Sequence, residues 1–149
     1  MIAYRTCKTR YDPWDAAGAA LHGGRWNSPG RSVIYAADSF AGSILEILAH
    51  SMRPRTLPGP HHALRIDVPD ELVEQVDEKR LSGWQARESP EARTFGDRWL
   101  AASRSAALSV PALPCRPVGR ILMINPAHPD AGRIQRDAVF AVPWDERLF

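Results

Sequence analysis

Lysine is almost missing from this chain of 149 residues. It stands only at positions 8 and 79, so nearly all of the positive charge is arginine, a side chain suited to planar, two-pronged contacts with phosphate or carboxylate, although a GC-rich genome produces the same bias. Cysteine occurs only as Cys7 and Cys115, too far apart and too few for a zinc or thioredoxin-like motif, which argues against a structural metal and for a reducing, cytoplasmic setting. No long apolar run is present: Met1 to Arg5 does not resemble a secretory leader, and no window approaches a membrane span. An excess of one charge is lacking too, since Lys+Arg 19 against Asp+Glu 17 leaves +2, and aromatics are not interleaved with a basic stripe. That balance speaks against direct nucleic-acid binding. The chain also has no Gly-x-Ser-x-Gly elbow and no phosphate-binding loop ending in Lys-Ser/Thr.

What remains is the pattern of one globular domain spanning residues 1–149, large enough to bury a core. Residues 2–7 read as a strand and 9–21 as a loop with one helical turn. Ser32 to Ala37, β-branched and aromatic, reads as a core strand. Asp38-Ser39 starts a helix over 40–51 with Ala41, Ile44, Ile47 and Leu48 on its apolar flank, closed by Pro54; the prolines of 53–60 then enforce a loop. Ala63 to Val68 alternates as a half-buried strand, and the acids between Asp70 and Glu78 suit a short exposed helix or a β excursion. Pro90 opens a second main helix over 92–104 with Phe95, Trp99 and Leu100 buried. Strands follow at 107–110, 120–124 and 138–142. This order lacks regular strand-helix alternation and predicts an α+β domain with mixed or antiparallel sheets and two main helices.

Chemistry concentrates between Gly23 and His50. Glycines 18, 23, 24 and 30 make a backbone that a ligand can approach closely, and Arg25 sits among them. Its guanidinium either grips a pyrophosphate or carboxylate, or stiffens the turn by stacking on Trp26 or pairing with an acid. Tyr35, at mid-strand, offers a ring for stacking or is a half-buried core aromatic. Glu46 lies between Leu45 and Ile47, where a carboxylate is poorly solvated and its proton affinity shifts; alternatively its side, shared with Gly42, is a wet flank. His50 is one turn further on the same face and either steadies Glu46 or makes a simple i,i+4 hydrogen bond. His61, His62 and His128 supply no third and fourth metal ligand at compatible spacing.

The blocks Gly24-Arg25-Trp26-Asn27, Val33-Ile34-Tyr35-Ala36-Ala37 and Leu45-Glu46-Ile47-Leu48-Ala49-His50, with Leu108 to Pro111 and Leu122 to Pro129, resemble the RES-domain toxins of bacterial toxin-antitoxin pairs along essentially the whole chain. The resemblance implies an ADP-ribosyltransferase-like fold and NAD as substrate, without a metal. Some members hydrolyse or phosphorolyse NAD; others transfer its ADP-ribose to a protein such as phosphoribosyl pyrophosphate synthetase. It also implies a helix-turn-helix (Xre-type) antitoxin that covers the active site. The family's Arg and Glu fall on Arg25 and Glu46, and Tyr35 and His50 match further pocket residues; Trp26, Asn27 and Ser109 complete the expected dinucleotide-binding set. The family's serine after Val-Pro is Ala112 here, and Ser109 is the nearest hydroxyl. A ribonuclease toxin and a non-enzymatic binding domain are the competing readings.

Overall fold

The computed structural model describes residues 1–50 and 59–149. The chain runs β1 (Ile2–Lys8), α1 (Ala17–His22), β2 (Ile34–Ala37), α2 (Phe40–Ala49), β3 (His61–Asp67), β4 (Val73–Gln75), α3 (Pro90–Ala102), β5 (Ala107–Pro111), β6 (Arg120–Ile124), β7 (Gln135–Arg136) and β8 (Phe140–Ala141). The strands form one sheet in the order β4-β5-β6-β2-β1-β3-β7, with β8 also on β3. Only β4 and β5 run parallel; the other pairs are antiparallel, so the α+β expectation of a mixed sheet holds. Of the proline-rich connection expected at 53–60, all but residues 59 and 60 lies outside the described residues, as do Ser51 and the closing Pro54.

Because successive strand side chains point to opposite faces, the sheet divides the core in two. Tyr35, Ala37, Leu108, Val110, Ile121 and Met123 belong to one side, packed with Trp26, Trp84 and Trp99. Ile34, Ala36, Ala107, Leu122 and Ile124 belong to the other, with Leu64 and Ile66. Register fixes the division: Ile34 faces Ile124 and Ala37 faces Ile121 across β2 and β6.

Helix α2 starts where the sequence predicts it, with the Ser39 hydroxyl accepting from Gly42 N–H at 3.0 Å. Its buried residues are not the apolar flank but Gly42 and Ser43, and Ala41 is exposed. Small side chains explain the rotation. They let the helix approach β1 and β2 closely, with a buried hydroxyl contact of 2.8 Å between Thr6 and Ser43 and a Cβ on Gly42 reaching within 3.3 Å of Ala37 Cβ. The side shared by Gly42 and Glu46 is therefore turned inward and is no wet flank.

Helix α3 opens on Ser89 and Pro90, the Ser89 hydroxyl accepting from Ala92 N–H at 3.1 Å, and ends at Ser103 in left-handed conformation, φ 48°. Trp99 is buried as expected, whereas Phe95 and Leu100 are only half-buried because they sit at the margin of the tryptophan cluster. The acidic stretch resolves into a 3-10 turn, the short strand β4 and a second 3-10 turn, with Leu72 and Val76 buried. Its acids pair with distant bases, Asp70 with the Met1 ammonium at 2.7 Å and Glu74 with Arg104 at 2.9 Å. The strand expected at 138–142 shortens to β8, Phe140–Ala141, and a second two-residue strand, β7, lies just before it at Gln135–Arg136, separated from it by Asp137, whose carboxylate pairs with Arg65 at 3.0 Å.

Candidate active site

A tight turn at residues 23–28 forms the centre. Gly23 adopts φ 70°, and Gly24 N–H donates to the Asn27 carbonyl at 2.9 Å. A Cβ on Gly24 would stand 2.9 Å from Asn27 Oδ1 and 3.0 Å from Tyr35 Oη, so only glycine fits there. Asn27 is fully buried and acts as a bracket. Its Nδ2 donates to the Ala19 carbonyl at 2.9 Å and the Arg31 carbonyl at 3.0 Å, while Oδ1 accepts the Tyr35 hydroxyl at 2.6 Å. Burial pushes the Tyr35 phenol up, opposed by a hydrogen bond with the Trp26 backbone, so it stays a neutral donor.

Trp26 is 2% exposed, stacked on Trp84 at 6.0 Å between ring centroids and edge-on to Phe95 at 6.4 Å. Trp26 and Asn27, expected among the dinucleotide-binding residues, thus present no accessible side-chain surface: they are the wall that holds the turn. Helix α3 secures the same wall. Asp97 accepts Ser28 N–H at 2.9 Å and the Ser28 hydroxyl at 2.5 Å, and Gly96 backs onto the Trp26 carbonyl, where a Cβ would come within 1.8 Å.

Arg25 neither stacks on Trp26 nor forms an ion pair among the described residues. Its Nη1 donates to the carbonyls of Trp84 at 2.7 Å and Ala86 at 2.6 Å, and Nη2 points to the Arg87 carbonyl at 3.5 Å. The side chain is thereby stretched across to the 84–87 loop. Even so its charge reaches the Glu46 carboxyl. Burial raises the proton affinity of Glu46, and His50 first and Arg25 second pull it back down. Glu46 keeps 25% of its side chain exposed, open on one side and desolvated on the other.

Of the two arrangements expected for His50, the i,i+4 hydrogen bond is the one present, and it goes to the Glu46 backbone and not to its carboxylate. The His50 Nδ1 lies 2.7 Å from the Glu46 carbonyl oxygen and 3.9 Å from Glu46 Oε2, with 81% of the side chain exposed. The ring closes the end of α2 and acts on the carboxylate only as a nearby charge when protonated. Cys115, in a 3-10 turn at Leu113–Cys115, borders the same place: burial raises its thiol pKa, and the charges of Glu46 and then Asp38 raise it further.

Ser109 is not brought to this centre. It is fully buried on β5 between Leu108 and Val110, so its side chain points to the face opposite Tyr35. Arg120 occupies it, with Nε donating to Ser109 Oγ at 3.1 Å and Nη2 to the Ser109 carbonyl at 2.7 Å and the Val76 carbonyl at 2.8 Å. Ala112 is buried in the Tyr35-side cluster. The hydroxyl missing at 112 is therefore not replaced from 109.

Asp97, Gly96 and Cys115 were missed by sequence reasoning. The one signal available for the first two was a helical glycine next to an acid, which says nothing about a partner about seventy residues earlier in the chain. Two grooves of about 380 and 560 Å³ flank the 77–91 segment, and neither is lined by Glu46 or Tyr35. Among the described residues no three His, Cys, Asp or Glu side chains converge as metal ligands would, and no helix is long and apolar enough to cross a membrane.

Comparison with known proteins agrees with this architecture. A toxin described as "Prs ADP-ribosylating toxin" from Sphingobium sp. (strain YBL2) is 35% identical over 142 residues, covering 92% of this chain and 87% of the relative. "Toxin Res" of Pseudomonas putida (strain KT2440) is 34% identical over 151 residues, with both chains covered in full. In fold, the chain is similar to the structure of the M. tuberculosis MbcT-MbcA toxin-antitoxin complex, with a TM-score of 0.72, 21% identity, and 95% of this chain and 83% of that one covered. The RES domain matches residues 2–145, and the chain belongs to the RES-domain family.

Proposed function

We propose that this protein is the toxin of a toxin-antitoxin pair and breaks the bond between nicotinamide and ribose in NAD. The observation that carries this reading is the Glu46 carboxylate, half-buried beside an inward-facing helix flank and within the field of the Arg25 guanidinium at a turn only glycine can form. NAD would bring a good leaving group, nicotinamide, and a ribose on which positive charge grows as that group departs. Glu46 answers that charge: a desolvated, ionised carboxylate stabilises a developing cation far better than it would in water. Its role requires the deprotonated form.

Arg25 orients the linking phosphates with the donors left free by the 84–87 carbonyls. Tyr35 gives the site a rigid, neutral aromatic wall, its hydroxyl already held by Asn27. His50, standing at the exposed end of α2, adds positive charge near Glu46 when protonated. The residues suit NAD in kind, an acid for the sugar and a guanidinium for the phosphates.

For the fate of ADP-ribose, the relative described as ADP-ribosylating Prs favours transfer to a protein, phosphoribosyl pyrophosphate synthetase being the target class, over hydrolysis or phosphorolysis. The likeness to a chain of a toxin-antitoxin complex favours a cognate antitoxin; we take it to be of helix-turn-helix type and to cover the Glu46 site, with both acting in the cytoplasm. Incubating the purified protein with NAD, alone, with phosphate and with cell lysate, followed by mass spectrometry, tests the reading. Free ADP-ribose, its phosphate or a modified protein identifies the acceptor. No nicotinamide release in any arm refutes the function.

A further inference from the structure

Helix α3 carries a cation to which the site described so far gives no task. Arg93 lies one turn before Asp97 and three residues before Gly96, and residues so spaced share a helix face. That face is pressed on the glycine turn: Asp97 holds Ser28, and Gly96 meets the Trp26 carbonyl. Arg93 therefore stands on the helix face that is seated on the turn. Its charge also acts on the Tyr35 hydroxyl, the group against which a Cβ on Gly24 would stand at 3.0 Å.

The guanidinium is under-used. Its Nε is buried and has no hydrogen-bond acceptor among the described residues, and none of the ion pairs among them involves Arg93. A buried donor without a partner is unfavourable, and such groups call for an explanation such as a ligand. Arg25, in contrast, has both Nη1 hydrogens committed to Trp84 and Ala86, which leaves it few donors for a ligand.

We propose that Arg93 is a second phosphoryl-binding cation of this site, its Nε–H receiving an oxygen that the tethered Arg25 cannot hold alone. This rests on the NAD reading above. A phosphoryl oxygen could belong to the linking pyrophosphate of the dinucleotide or to free phosphate acting as acceptor; the charge-assisted chemistry is the same.

Steady-state nicotinamide release separates the sources. In phosphate-free buffer, R93Q should raise KM for NAD by roughly 10- to 100-fold, the loss of one charge-assisted hydrogen bond, with little change in kcat. KM for nicotinamide riboside, which has the same scissile bond and no phosphate, should stay as in wild type. An unchanged KM for NAD with loss of the acceleration by added inorganic phosphate assigns the oxygen to free phosphate instead. R93K keeps the charge without the fork and should fall between wild type and R93Q, which covers the case in which R93Q folds poorly. Equal KM increases for NAD and the riboside would reveal a merely structural role and overturn the proposal. So would wild-type values throughout in R93Q, an outcome that leaves the NAD reading intact. A wild-type protein that releases no nicotinamide overturns both.

Discussion

Replacing a helical glycine by alanine should have opposite effects at two positions of this chain. At Gly18, in α1, a Cβ meets nothing within 4 Å, and Gly18→Ala should stabilise the protein by about 0.5–1 kcal/mol through backbone entropy and helix propensity. At Gly96, in α3, the same propensity gain opposes a collision, because the Cβ would stand 1.8 Å from the Trp26 carbonyl oxygen. Relieving it to a carbon-oxygen contact of roughly 3.3 Å means a displacement of about 1.5 Å between helix and turn. The neighbour is backbone, which cannot swing aside. Overpacking of this kind costs about 1–3 kcal/mol. The displacement also strains the two Asp97–Ser28 bonds, at 2.9 and 2.5 Å, and a hydrogen bond to a charged group contributes about 1.5–3 kcal/mol. After subtracting about 1 kcal/mol for propensity, Gly96→Ala should lose on the order of 2 kcal/mol, a Tm decrease of about 4–8 °C for a domain of this size. Calorimetry or urea denaturation of both variants measures the pair. Since the displaced carbonyl adjoins Arg25, nicotinamide release should fall further than stability alone accounts for. A Gly96→Ala protein as stable as wild type, or more so, would refute the claim that α3 is seated directly on the turn.

Three further substitutions probe the rest of the site. Glu46→Gln should reduce nicotinamide release by roughly 100-fold or more while stabilising the fold near neutral pH. Burial raises the folded-state pKa of Glu46, so its contribution is complete below the ordinary value of 4.5 and is lost as pH rises through the elevated one. The stability difference should therefore vanish in acid, and wild-type activity should climb over the same rising limb; a pH-independent difference would count against a desolvated carboxylate. Tyr35→Phe strips the buried Asn27 Oδ1 of its 2.6 Å donor and should lower stability by about 1–3 kcal/mol in urea titration, an unchanged midpoint removing the bracket from the account. Ser109→Ala should weaken the fold by about 1–2 kcal/mol, because Arg120 Nε loses its acceptor, yet leave KM for NAD as it is. An increased KM would return Ser109 to the pocket.

Much of the architecture was legible because it is local. Alternation in 63–68, the apolar run of 120–124, the Ser39 and Ser89 caps, Pro90 at the first turn of α3 and the glycines around Arg25 all act on residues a few positions away, so reading neighbours sufficed. The odd placement of Glu46 among apolar residues was visible as well. Its meaning was not, since α2 buries Gly42 and Ser43 rather than Ile44 and Ile47, and only close contact with β1 and β2 selects that face.

The sequence by itself determined the main strands and the two main helices, the backbone turn at Gly23 and Gly24, and membership of the RES-domain family. Tertiary structure alone decided which side chains meet: Arg25 with carbonyls about sixty residues away, Ser28 with Asp97, Ser109 with Arg120 on the far face of the sheet. The reason is physical. Backbone periodicity and capping are set by covalent neighbours, whereas the partner of a buried polar group depends on how helices seat on the sheet, and here small residues at Gly42 and Gly96 control that seating.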